Sequence, residues 1–131
     1  MADWQASAGA TLLVPSGPEG KHLFVVVCDP VVLPGYGPHP CVVMVNLSTV
    51  RAGIPYDSTC VLQAGSHPFV AQESYVAYSG MRIDRVADLA ARVEQGYFTP
   101  HDPMPAPILG RIQAGRLASP RTTREFKLLP I

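Results

Sequence analysis

Fourteen prolines interrupt this chain of 131 residues, about twice the usual share of roughly 5%. Proline fixes φ, removes a backbone donor and breaks helix interiors. The prolines follow no G-x-y period, which excludes collagen. No Pro-free stretch carries three or four heptads, which excludes a long coiled coil. What remains is a fold of short elements closed by turns. The length suits one domain, or one domain and a short tail. With 47% hydrophobic and 15% charged residues, most of the chain can pack. Ten basic and ten acidic residues cancel, so no global field points to nucleic acid or membrane.

Between residues 10 and 80 the sequence holds short β-rich runs. The first, 10–14, is closed by Pro15-Ser16-Gly17-Pro18. The second (22–28, HLFVVVC) and third (41–47, CVVMVNL) are nearly continuous in apolar residues, so both faces are expected to be buried. A Pro/Gly-rich loop, 33–40, separates them. A polar turn region, 51–58, precedes a short run at 59–63, and a turn at 65–68 precedes SYVAY at 74–78.

Helical signals begin at Ile83, with Asp84 as N-cap. Val86, Leu89, Ala90 and Val93 form one apolar stripe, and Gly96 takes the C′ position. Ile108, Leu109 and Ile112 predict a second short helix after a proline-rich connector, 99–107.

The expected fold class is therefore α+β, mainly β: a small antiparallel barrel of about five strands with C-terminal helices. No connection among the first four strands has room for a crossover helix, so a parallel βαβ fold is not expected. Residues 1–8 are expected to be a flexible N-terminus and 9–98 the barrel with its first helix. Residues 99–131 are the connector, short helix and basic tail, packing on the same domain.

The longest pure apolar run is 23–28, far short of the ~20 residues a bilayer needs. The N-terminus lacks a basic region before an apolar one. Three cysteines, Cys28, Cys41 and Cys60, form no disulfide framework. A cytoplasmic location is the expectation.

Several motifs carry possible chemistry. Gly17-Pro18-Glu19-Gly20-Lys21 lacks phosphate-loop spacing and runs into a strand, so it reads as a turn. Cys28, His39, Cys41, Cys60 and His67 are soft donors, but their spacings match no zinc pattern, and cysteine in a valine-rich strand is more often a small core hydrophobe. Neither metal nor cofactor is expected. Cys60 and His67 could pair as nucleophile and base, yet no helix follows Cys60 to lower its pKa.

A broader polar set lies near strand ends: Ser48, Thr49, His67, Ser74, Tyr75, Tyr78 and Arg82. A histidine to move a proton, an arginine to neutralise a phosphorane and hydroxyls to position it are what phosphodiester chemistry needs. Ordinary loop polarity accounts for the same residues. Residues 111–131 hold five basic residues and one acid, so a net +4 segment joins a net −4 remainder. It could follow an RNA backbone, bind an acidic protein or be a solvated face.

The order of these elements, from GATLLV through HLFVVVCD and CVVMVNLST to SYVAYSGMRID, resembles the MazF/PemK-like toxins of bacterial toxin–antitoxin modules. The resemblance spans roughly residues 9–95. It implies an SH3-like barrel, a homodimer, an antitoxin partner and metal-independent cleavage of single-stranded RNA. In that family a basic residue precedes the second strand, where this chain has Lys21-His22. A Thr/Ser pair follows the third strand, where this chain has Ser48-Thr49. Charged groups follow the later strand, where this chain has Arg82 and Asp84.

The element order taken together with the polar set points to His67 or His22 as base or acid, with Arg82 and Lys21 on the phosphate. Ser48 and Thr49 would orient it, and Tyr75 and Tyr78 would line the substrate site. The alternative is a non-catalytic SH3-like module using loop 33–40 with Tyr75, Tyr78, Tyr97 and Phe98.

Overall fold

A computed structural model describes residues 4–18 and 20–131. Its strands are β1 Thr11–Pro15, β2 Lys21–Val26, β3 Val31–Val32, β4 Pro40–Thr49, β5 Val61–Leu62, β6 Ser74–Arg85 and β7 Thr99–His101. Its helices are α1 Val86–Glu94, α2 Ala106–Ala118 and α3 Arg124–Lys127. One antiparallel sheet runs in the order β5-β6-β4-β2-β1-β7, with β3 added on β4. The sheet curls into a half-barrel, so the fold is mainly β and barrel-like, with a few short helices.

The near-continuous apolar strands have a simple cause. Side chains alternate across a strand, and this sheet is covered on both faces. On β2, Leu23 and Val25 enter one cluster with Val43, Val45, Val76 and Ile112 of α2. Phe24 and Val26 enter the other with Leu12, Val42, Met44 and Leu89 of α1. Each fully buried Val or Leu contributes about 1.5–3 kcal/mol, so neither face tolerates a polar run.

The structure departs from expectation in three places. β6 continues to Arg85, through the residues expected to open a helix. Asp84 is not an N-cap. It sits opposite Val42 on β4 and accepts hydrogen bonds from Arg82, while Arg85 caps α1 without a side-chain bond. Pairing with a ten-residue β4 outweighs local helix signals here. The second departure is in the proline-rich connector, where Thr99–His101 pairs with β1 as an edge strand. Pro100 is tolerated because an edge needs fewer donors. Finally, α2 is longer than expected and begins with Pro at its first turn, where the missing N–H costs nothing.

Of the expected flexible N-terminus, residues 1–3 lie outside the described residues. Residues 4–8 pack: Ala6 is buried and the Ala8 N–H donates to Asp29 Oδ1 at 3.0 Å. Met104 and Ile112 of the last third are buried among barrel residues. Among the described residues, no helix is long and apolar enough to cross a membrane.

Candidate functional site

At one end of the half-barrel, the β1–β2 turn, the end of β4 and the start of β6 open into a groove of about 620 Å³. Register decides which side chains meet there. Lys21 opens β2 opposite Pro15, and His22 stands opposite Val14. Ser48 pairs with Tyr75, and Thr49 with Ser74. Five of the expected residues, Lys21, His22, Ser48, Thr49 and Tyr75, therefore line one groove.

Two loops form the walls. Residues 50–56 bring Arg51 and Tyr56, and residues 69–72 bring Phe69 and Gln72. Tyr56 and Tyr75 form a tilted ring pair with centroids 5.4 Å apart. The described lining thus holds two cations, one histidine, four serine and threonine hydroxyls and an aromatic pair, and no carboxylate. Such a surface suits a phosphate with an attached planar ring.

The other three expected residues lie elsewhere. His67 is 1% exposed and turned inward. Its Nε2 lies 2.6 Å from the Asp102 carbonyl oxygen, and its Nδ1 accepts the Phe69 N–H at 3.0 Å. Both nitrogens are used, which fixes the Nε2–H tautomer. The ring also packs against His101 in a tilted pair, with centroids 4.9 Å apart. His67 thereby ties the wall loop at Phe69 to the residue just after β7.

Tyr78 is 1% exposed and donates to the Ile112 carbonyl of α2 at 2.7 Å. Burial pushes its phenol well above the usual range, so it stays a donor. Tyr75 and Tyr78 stand three residues apart, and on a strand that spacing puts them on opposite faces.

Arg82 lies seven residues beyond Tyr75 on β6, a separation of up to about 23 Å along a strand. It binds Asp84 through two nitrogens at 2.7 and 2.8 Å and covers the Phe24 ring at 5.6 Å. Its neighbours are those of α1, not those of the groove.

The cysteines are free; Cys41 and Cys60 are buried in the core, and Cys28 is half-buried against it. Burial pushes the Cys60 thiol up, partly offset by Arg111. His67 has no free nitrogen for it. Among the described residues, no three His, Cys, Asp or Glu side chains converge as metal ligands do.

Arg51, Tyr56 and Gln72 also line the groove, although the sequence marks 51–58 only as a polar turn. The available signal was the position of Arg51, two residues past the Ser48-Thr49 pair. The aromatic partner of Tyr75 is nineteen positions upstream, and no local pattern marks it. No family model, curated protein or solved structure matches the chain.

Proposed function

We propose that this chain is a toxin-like component of a bacterial toxin–antitoxin module, an SH3-like barrel that binds and cleaves single-stranded RNA without a metal. One observation carries the reading. The basic residue before the second strand (Lys21) and the Ser48-Thr49 pair, separated by 27 positions in sequence, share one groove with His22. Those are two of the three positions the family resemblance singles out; the third, Arg82 and Asp84, lies beside α1.

In this mechanism an unpaired base stacks on the Tyr56–Tyr75 pair, and its phosphate lies between Lys21 and Arg51. His22 takes the proton of the ribose 2′-OH as that oxygen attacks the adjacent phosphorus. The bond from phosphorus to the 5′ oxygen breaks, and that oxygen takes a proton from water. The products are a 2′,3′-cyclic phosphate and a 5′-hydroxyl. Lys21 and Arg51 offset the charge that grows on the phosphorane, and Ser48 and Thr49 orient it. The reaction calls on no metal. An antitoxin covering the groove would hold the protein inactive.

The test is purified protein on single-stranded RNA. Wild type should cleave, and His22→Ala should lower the rate by about 10²–10⁴. Absence of cleavage by wild type, or cleavage unaffected in His22→Ala and Arg51→Ala, rejects the mechanism. A non-catalytic binding module is the second reading. It is favoured by the single histidine among the described lining residues, since paired acid–base groups are the more usual arrangement. Binding without cleavage would select it. Its surface would be the groove, because Tyr78 is buried and Tyr97 lies beyond the far end of α1.

A further inference from the structure

Tyr56 stands at the edge of the groove. The next residue, Asp57, turns inward and is 6% exposed. It accepts the Thr59 N–H at 3.0 Å and the Thr59 hydroxyl at 2.6 Å. It also accepts the hydroxyl of Ser119, which is fully buried just past α2. Ser119 Oγ in turn accepts the Arg121 N–H at 3.0 Å. Two hydrogen bonds therefore join the backbone of Arg121 to the residue beside Tyr56. The basic segment is fastened to the loop that carries Arg51 and Tyr56.

That segment is also held in shape. Arg116 is buried and donates to the carbonyls of Phe126, Lys127 and Ile131 at 2.6, 3.3 and 2.9 Å. Its guanidinium is thereby used up inside the fold. Arg111 donates to the Val61 carbonyl at 2.8 Å. Arg121 and Arg124 remain: both are exposed and neither has a carboxylate within ion-pair distance among the described residues. The opposite, α1 side differs, since Arg82 there is paired with Asp84, and Asp88 lines the same small groove.

We infer that Arg121 and Arg124 form a second phosphate-binding stretch that continues the groove past Tyr56, so that the protein holds a longer run of single-stranded RNA than the groove alone. The inference rests on the RNA reading of the groove. A single strand bound by a basic track gains affinity with each phosphate neutralised, and its salt dependence steepens by about 0.7 per contact. The link from Arg121 through Ser119 to the loop of Arg51 and Tyr56 favours RNA over an acidic protein as the ligand of these two arginines.

Fluorescence anisotropy with RNAs of about four and about twelve nucleotides tests this. Wild type should bind the longer RNA more tightly and with a steeper salt slope. A double variant, Arg121→Gln with Arg124→Gln, should weaken the longer RNA about tenfold and flatten its slope by about 1.4, leaving the shorter RNA unchanged. Arg51→Ala should weaken both lengths alike. Equal affinity of wild type for both RNAs, or an unaffected double variant, overturns the inference while the groove reading stands. An RNA-independent loss of a protein partner in that variant would then assign the arginines to protein binding. Failure of wild type to bind either RNA overturns the groove reading itself, and this inference with it. Both substituted side chains are exposed, and an unchanged melting temperature confirms that the variant is folded.

Discussion

Gly115 lies in α2 against the buried ring of Tyr78. A Cβ placed there would meet Tyr78 Oη at 1.9 Å and Cζ at 2.5 Å. Gly115→Ala pits two effects against each other. Alanine in a helix interior is favoured over glycine by about 1 kcal/mol. Against that, Tyr78 is 1% exposed and cannot withdraw into solvent. Overpacking of this kind costs about 1–3 kcal/mol. Displacing the hydroxyl also breaks its bond to the Ile112 carbonyl, and a buried group left unpaired costs about 1–3 kcal/mol more. The clash wins, with a net loss of about 3 kcal/mol.

At about 4 °C per kcal/mol for a chain of this size, Tm should fall by roughly 12 °C. Gly110 supplies the control. It is exposed on the same helix and a Cβ there meets nothing within 4 Å, so Gly110→Ala should raise stability by about 0.5–1 kcal/mol. Urea denaturation of the two variants gives the sign directly. In a Tyr78→Phe background the part of the Gly115→Ala penalty due to the hydroxyl, about 1–3 kcal/mol, should vanish, and the part due to the ring carbons should remain. If Gly115→Ala is as stable as wild type, or the two glycine variants shift alike, the docking of α2 on Tyr78 is wrong.

Other outcomes follow from the same contacts. His67→Ala should cost about 2–4 kcal/mol and speed hydrogen exchange at the Phe69 amide. It should also weaken RNA binding through the loosened wall, without removing a group that touches RNA. At Asp57, burial works to raise the carboxyl pKa, but the Ser119 and Thr59 hydrogen bonds and nearby Arg121 outweigh it and hold the group below its ordinary 3.8. Its contribution is therefore complete above pH 3.8 and fades as pH falls below that value. Asp57→Asn should be destabilised at neutral pH, with the gap to wild type closing in acid melts. Arg82→Ala should cost less than about 1 kcal/mol, since its ion pair is partly exposed, and should leave RNA anisotropy unchanged.

The buried strands at 22–28 and 41–47 were readable because alternation cannot distinguish residues when both faces are covered, and an unbroken apolar run is then the signal. Gly96 was readable as a helix stop, and it does adopt positive φ, at 76°. Local chemistry also misled. Asp84 has the composition of a helix cap, yet cross-strand pairing with Val42 decided its place. His67 has the composition of a catalytic base, yet two backbone groups occupy both of its nitrogens. For Tyr75 and Tyr78 the answer was present in the period of two, which sends one to the groove and the other to the core.

By itself the sequence determined the material of the fold: short strands punctuated by proline, two apolar helix faces, and a basic segment on an otherwise acidic chain. Each rests on an effect acting within a few residues, such as fixed φ, side-chain alternation or helical periodicity. Tertiary structure alone decided which polar residues meet. Lys21, Thr49, Tyr56 and Tyr75 are far apart in sequence, and only the antiparallel register and the curl of the sheet bring them to one groove. The same holds for the link from Asp57 through Ser119 to Arg121, which spans 62 positions between its first two members. Such contacts depend on how whole elements pack, and packing is a property of the assembled chain rather than of any segment.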